Sequence, residues 1–190
     1  MTPVPAACLR SAGLADDNAV DGVVNAEGLA AWIQPRGQVA HLIVADDTRL
    51  LLDHTLGHNT LDFGYEGCDA VVVGWYGDKL IVQSAERGGS IVWRFDLSGG
   101  PPKTIRAISA VCVGGMVFFA SRDPGRLARA TLPDLDPLTP LPIKPVPGRY
   151  ALLSGEDGAI IIKTQVPEPG RRGRLIWRET QRIVIRDKTL

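Results

Sequence analysis

The sequence predicts an all-β chain, propeller-like, built from four blade-like antiparallel meanders of four strands each. Two observations carry this expectation. First, short apolar runs rich in Val, Ile, Leu and Trp alternate with clusters of Gly, Pro, Asp and Ser along the 190 residues, the grammar of strands joined by tight turns. Second, the same order of turns and runs recurs four times, at a spacing of roughly 40 to 50 residues that marks repeat architectures. The 21 glycines and 14 prolines favour turns over long helices, and no stretch keeps a helical apolar period beyond two turns.

Residues 1–17, with prolines, small residues and the Asp16–Asp17 pair, are expected to form a poorly ordered leader or a short strand paired onto an edge elsewhere. The first unit, about 18–57, offers the runs AVDGVVN, GLAAWIQ, QVAHLIVAD and TRLLLDHTL. Between two of them Pro35, Arg36 and Gly37 make a turn, because Pro presets φ and Gly supplies a left-handed position. Residues 58–67 read as a connecting loop.

The second unit, 68–108, is the clearest. Its stretch DAVVVGWYGDKLIVQSAERGGSIVWRFDLSGG holds three runs and three turn signals, and PKTIRAI supplies the fourth strand. The third unit, 109–145, turns at Gly114–Gly115 and at Asp123-Pro124-Gly125. Its last run is studded with prolines, which confines it to an edge or to irregular structure. The fourth unit, 149–188, offers YALLSG, AIIIKTQV, RLIWRET and RIVIRD. At this length the chain suits one propeller-like domain over residues 1–190.

The second unit resembles the blade repeat of TolB-type β-propellers, with Trp75, Asp78, Gly88, Ile91, Trp93, Asp96, Gly99 and Gly100 in comparable places. It departs at Tyr76–Gly77, where that repeat usually has Ser-Pro, and the other three units match by pattern alone. The resemblance implies a fold and leaves function open, because propellers serve as docking platforms, lids and enzymes. Such propellers commonly have six or more blades. Four blades therefore either close as a small ring or are completed by a second chain, two copies meeting head to tail to give eight.

The formal net charge is zero, so nothing global points to nucleic acid or to an anionic membrane. Charge is unevenly placed: residues 1–70 hold ten acidic and three basic side chains, and residues 144–190 hold ten basic and five acidic ones. That asymmetry suits a contact within one ring or between two chains. Cys8, Cys68 and Cys112 are odd in number and lack CxxC spacing, which argues against a disulfide framework. No run has signal-peptide or membrane-spanning length, and a cytoplasmic location is the expectation.

The densest set of possible metal ligands is Asp53, His54, His58 and Asp62, with His41 nearby. Adjacent residues on a strand point to opposite faces, so Asp53 and His54 would not converge there. The arginines Arg171, Arg172, Arg174, Arg178, Arg182 and Arg186 form the other cluster; they suit an acidic partner surface or the protection of an exposed edge strand. Nucleophile and phosphate-loop motifs are absent, Ser154 has no evident His partner, and no cofactor is expected. Trp32, Trp75, Trp93 and Trp177 fit core packing between blades. The expected function is a non-catalytic module that binds another protein or itself. The alternative is a hydrolase or lyase in a central channel, with His41, Asp46 and Asp47 near its mouth.

Overall fold

Turn chemistry sets the architecture strand by strand. A computed structural model describes residues 2–15, 20–37, 39–58, 70–86, 89–121, 127–136, 138–141, 143, 149–154, 159–169 and 175–185. These residues are all-β apart from one short helix, and they form four antiparallel sheets. The first sheet runs β1 (Thr2–Pro3), β2 (Asp21–Val24), β3 (Ala30–Arg36), β4 (Val39–Ala45), β5 (Leu50–His58), with helix α1 (Ala6–Ser11) between β1 and β2. The second runs β6 (Ala70–Tyr76), β7 (Lys79–Glu86), β8 (Gly89–Asp96), β9 (Lys103–Ala107). The third runs β10 (Ser109–Val113), β11 (Met116–Ala120), β12 (Leu127–Thr131), β13 (Thr139–Pro140). The fourth holds β14 (Arg149–Ser154), β15 (Ile160–Pro169), β16 (Leu175–Ile185).

Within every sheet, strands neighbour one another in chain order, as meanders with short connections must. Gly114 and Gly115, at φ of 58° and 76°, link Val113 to its partner Met116; a two-residue hairpin turn of this kind needs positive φ at both positions. The turns after β4 and β8 share a second device. The Asp46 carboxylate accepts from the Thr48 amide (2.7 Å) and hydroxyl (2.6 Å), and the Asp96 carboxylate accepts from the Ser98 amide (3.1 Å) and hydroxyl (2.6 Å). The same Asp-x-Thr/Ser turn at the same place in two sheets is the internal repeat in chemical form.

The chain divides into two units, Met1–Arg87 with Val92–Thr104, and Gly88–Ile91 with Ile105–Leu190. In the first, Leu42, Val44 and Leu56 pack with Val72, Leu80, Val82 and Phe95 of the second sheet. The opposite face of the first sheet carries Ala30, Trp32, Ile43 and Ala45, covered by Val4 and by Cys8 and Leu9 of α1. In the second unit, Val111, Phe118, Ala120 and Leu127 pack with Tyr150, Leu152, Ile160 and Ile162. A fully buried Leu, Ile, Val or Phe contributes about 1.5–3 kcal/mol, so these faces hold the sheets together.

The structure departs from the sequence expectation at both ends of the chain. The leader is a two-residue strand on β2, as one reading had it, followed by a helix that the periodicity did not reveal. The first sheet thereby gains a fifth strand. In the fourth sheet, RLIWRET and RIVIRD are one strand rather than two, leaving three described strands. No Gly or Pro separates the two runs. Instead Thr180 is an extra residue: Glu179 pairs with Gln165 and Gln181 with Thr164, a β-bulge that bends the strand without ending it.

Candidate functional site

Alternation along β5 sends Asp53 and His54 to opposite faces of the first sheet. Asp53 reaches across β4 to β3, taking a 2.7 Å contact with His41 Nδ1 and a 2.8 Å bond from Arg36 Nη1. Partial burial works to raise the Asp53 pKa, but the bonds from His41 and Arg36 outweigh it and hold the carboxyl below its usual range. His54 lies on the face that meets the second sheet, edge-on to Trp93 (5.5 Å) and Phe95 (4.9 Å). Burial there lowers its pKa, opposed by the charge of Asp53 and reinforced by that of His41.

These positions decide what the cluster can do. His58 closes β5 opposite Val39, and Asp62 lies outside the described residues. Among the described residues no three His, Cys, Asp or Glu side chains are grouped to hold a metal ion. Asp46 is occupied by its own turn, and His41 is tied to Asp53. Arg36–Asp53–His41 is a cross-strand brace over β3, β4 and β5. Near it, the Trp32 indole nitrogen and the Gln34 amide oxygen are buried with no hydrogen-bond partner among the described residues. Burial pushes the Cys112 thiol up to about 12, so it is not a thiolate at neutral pH.

The predicted arginine cluster is described only in part. Arg171, Arg172, Arg174 and Arg186 lie outside the described residues, whereas Arg178 and Arg182 stand on β16. The Thr180 bulge reverses the alternation between them, so they project to opposite faces. Arg178 pairs with Glu168 at 3.2 Å. Arg182 binds Glu179 through two nitrogens, at 2.8 and 3.2 Å, and Lys163 approaches the same carboxylate at 3.3 Å. Hydrogen bonds, first from Arg182 and then from Lys163, hold the Glu179 pKa low.

One face of the fourth sheet is the candidate interaction surface. Ile183 and Ile185 of β16 face inward with Ile160 and Ile162. The alternate residues, Val184 with its partner Ile161 and Arg182 with its partner Lys163, face outward. Val184 is 49% exposed. Beyond Arg149, where β14 ends opposite Gln165, β15 and β16 continue as a two-stranded ribbon to the pair Pro169–Leu175. On that ribbon Ile176 is 57% exposed. Sequence reasoning found the arginines but missed Lys163, Glu179 and Arg36, because each acts through a cross-strand contact with no local spacing to signal it.

No model of a known protein family matches the chain. No curated protein matches it either. Among solved structures, one of Hsv2 from Kluyveromyces lactis is similar, with 12% identity and a TM-score of 0.39 over 80% of this chain. The chain covers 47% of that one, about half its length.

Proposed function

We propose that the chain is a non-catalytic, propeller-type interaction module that binds a protein, a second copy included, through the outward face of the β14–β15–β16 sheet. The observation that carries this reading is Val184, a half-exposed aliphatic side chain with Ile161 beside it and the Lys163–Glu179–Arg182 ion network to one side. Exposed aliphatic side chains bordered by charged ones are the kind of surface a protein partner covers. Sheets that carry their cores on their faces, in sequential meanders, support the propeller reading.

The test uses the full chain with Val184→Cys labelled by a polarity-sensitive fluorophore. Docking moves the emission to the blue as protein concentration rises or when soluble cell extract is added. Excess unlabelled wild type reverses the shift and excess Val184→Asp does not. A label that stays in a water-like environment under both conditions overturns the reading.

A further inference from the structure

We infer that the face of the first sheet beneath α1 holds a binding site for a primary carboxamide, built by Trp32, Gln34 and His41 and steadied by Asp53 and Arg36. This site lies within the first unit and does not depend on the interaction-module reading. Register places its residues. Trp32, Gln34 and Arg36 alternate along β3 and so share one face, opposite Ile43, His41 and Val39 of β4. Asp53 of β5 stands opposite Ile43 and belongs to the same face. It is the face that α1 covers, because Trp32 and Ile43 pack with Val4, Cys8 and Leu9.

The cover thins along β3. Trp32 is fully buried, Gln34 is half-buried and Arg36 is exposed. The face therefore runs from a closed end at the indole to an open end at the guanidinium, with His41, its side chain 18% exposed, across from Gln34. A small group enters from the open end.

The polar atoms define what it must be. The Trp32 indole nitrogen, a donor, and the Gln34 amide oxygen, an acceptor, are buried with no hydrogen-bond partner among the described residues. Folded proteins seldom leave such groups unmet. His41 adds a second acceptor. An ionised carboxylate can only accept, so the 2.7 Å contact with Asp53 puts the proton on His41 Nδ1 and leaves the lone pair of the neutral ring on Nε2. Arg36, bonded at 2.8 Å to the other Asp53 oxygen, fixes that carboxylate in turn.

The inventory is one donor and two acceptors. A primary carboxamide matches it: its carbonyl accepts from the indole N–H, and its two N–H bonds serve Gln34 Oε1 and His41 Nε2. A carboxylate would set lone pairs against the Gln34 oxygen, and an ammonium would offer the indole nothing. Spacing agrees. Same-face neighbours on a strand are about 6.6 Å apart along the backbone. One atom with two hydrogen bonds of about 2.9 Å each falls short of that, whereas the O=C–N edge adds about 2.2 Å.

NMR of the tryptophan indole N–H groups in the full chain, titrated with acetamide, tests this. The Trp32 resonance, assigned by its loss in Trp32→Phe, should move saturably with a Kd of millimolar order, the strength so small a molecule allows. The indole N–H groups of Trp75 and Trp93, bonded to the Val23 carbonyl and to Ser84 Oγ, should stay in place. N,N-Dimethylacetamide, which keeps the carbonyl and donates nothing, should bind at least about tenfold more weakly, as should acetamide to Gln34→Met. A Trp32 resonance that acetamide leaves unmoved up to about 0.2 M overturns the inference and leaves water to satisfy the two groups. So does equal movement of all three indoles, or equal binding of the dimethyl amide, a comparison made on the wild-type chain that does not depend on how Gln34→Met folds. N-Acetylglutamine methylamide separates the sources of the group. Binding tighter than acetamide assigns it to a glutamine of a protein segment, binding weaker to a free small amide, and either supports a carboxamide site.

Discussion

Ser84 is one of two buried polar residues among the described core positions, 3% exposed, and its Oγ accepts a 2.8 Å hydrogen bond from the Trp93 indole nitrogen. Trp93 in turn stacks on Phe95, with centroids 6.0 Å apart at 15°, and both rings meet the edge of His54. Ser84→Ala leaves the indole N–H without its acceptor inside the seam between the first two sheets, at a cost of about 1–3 kcal/mol. Trp93→Phe removes the donor together with part of the ring, and costs a similar amount through lost contact. In the double variant no donor is stranded, so the serine change should then cost little, leaving a coupling of about 1–2 kcal/mol. Urea unfolding followed by tryptophan fluorescence measures this, since Trp32, Trp75 and Trp93 all belong to the first unit. If Ser84→Ala costs under about 0.3 kcal/mol, or the two changes add to within about 0.5 kcal/mol, the bond is not holding the seam.

Gly22→Ala should destabilise the first unit by about 1–3 kcal/mol. A β-carbon there would lie 2.6 Å from the Ala31 carbonyl oxygen and 2.7 Å from Val4 Cγ2, and the urea midpoint reads the loss. His54 predicts acid sensitivity: because burial lowers its folded pKa, the unfolded chain takes up the proton first, and stability falls as pH drops below about 6.5. His54→Phe should flatten that step in melting temperature against pH, while the separate loss from Asp53, whose folded pKa is also lowered, persists below about pH 4.

What the sequence made legible was the part of the fold written in short-range chemistry. Gly114–Gly115 and the proline-bound edge strand at Thr139–Pro140 each announce a turn or an edge within a few residues. Helix α1 was not legible because its six residues span under two turns, too few for an apolar period to emerge, and tertiary contacts of Cys8 and Leu9 hold it in place. The continuity of β16 was hidden for a related reason. Glu179-Thr180-Gln181 is polar enough to pass for a turn, and only pairing with Thr164 and Gln165 shows it to be a bulge. The candidate site was less legible than the fold. Arg36 and Asp53 are 17 positions apart, and Lys163 and Glu179 are joined by register.

The fourth sheet treats its edges and its face differently, and the difference bears on how it makes contact. Its outer strand β16 carries charges and a bulge, and β15 carries Pro167 and Pro169 where it runs on past β14, each of which lowers the gain from adding a strand. Its outward face carries Val184 in the open, where burying the remaining half of the side chain contributes only about 1 kcal/mol. One such residue holds nothing by itself. Ile161 lies beside it, and the Lys163–Glu179–Arg182 network, whose charges already have partners within the chain, lies to one side. Because those charges are satisfied before contact, association strands none of them, and the small apolar gain is not cancelled by desolvating an unpaired ion. Breaking the network with Glu179→Gln would leave Lys163 and Arg182 unneutralised beside Val184 and should weaken docking at the proposed face more than it weakens the fold. Equal losses in the two would mean that the network serves the sheet rather than the contact.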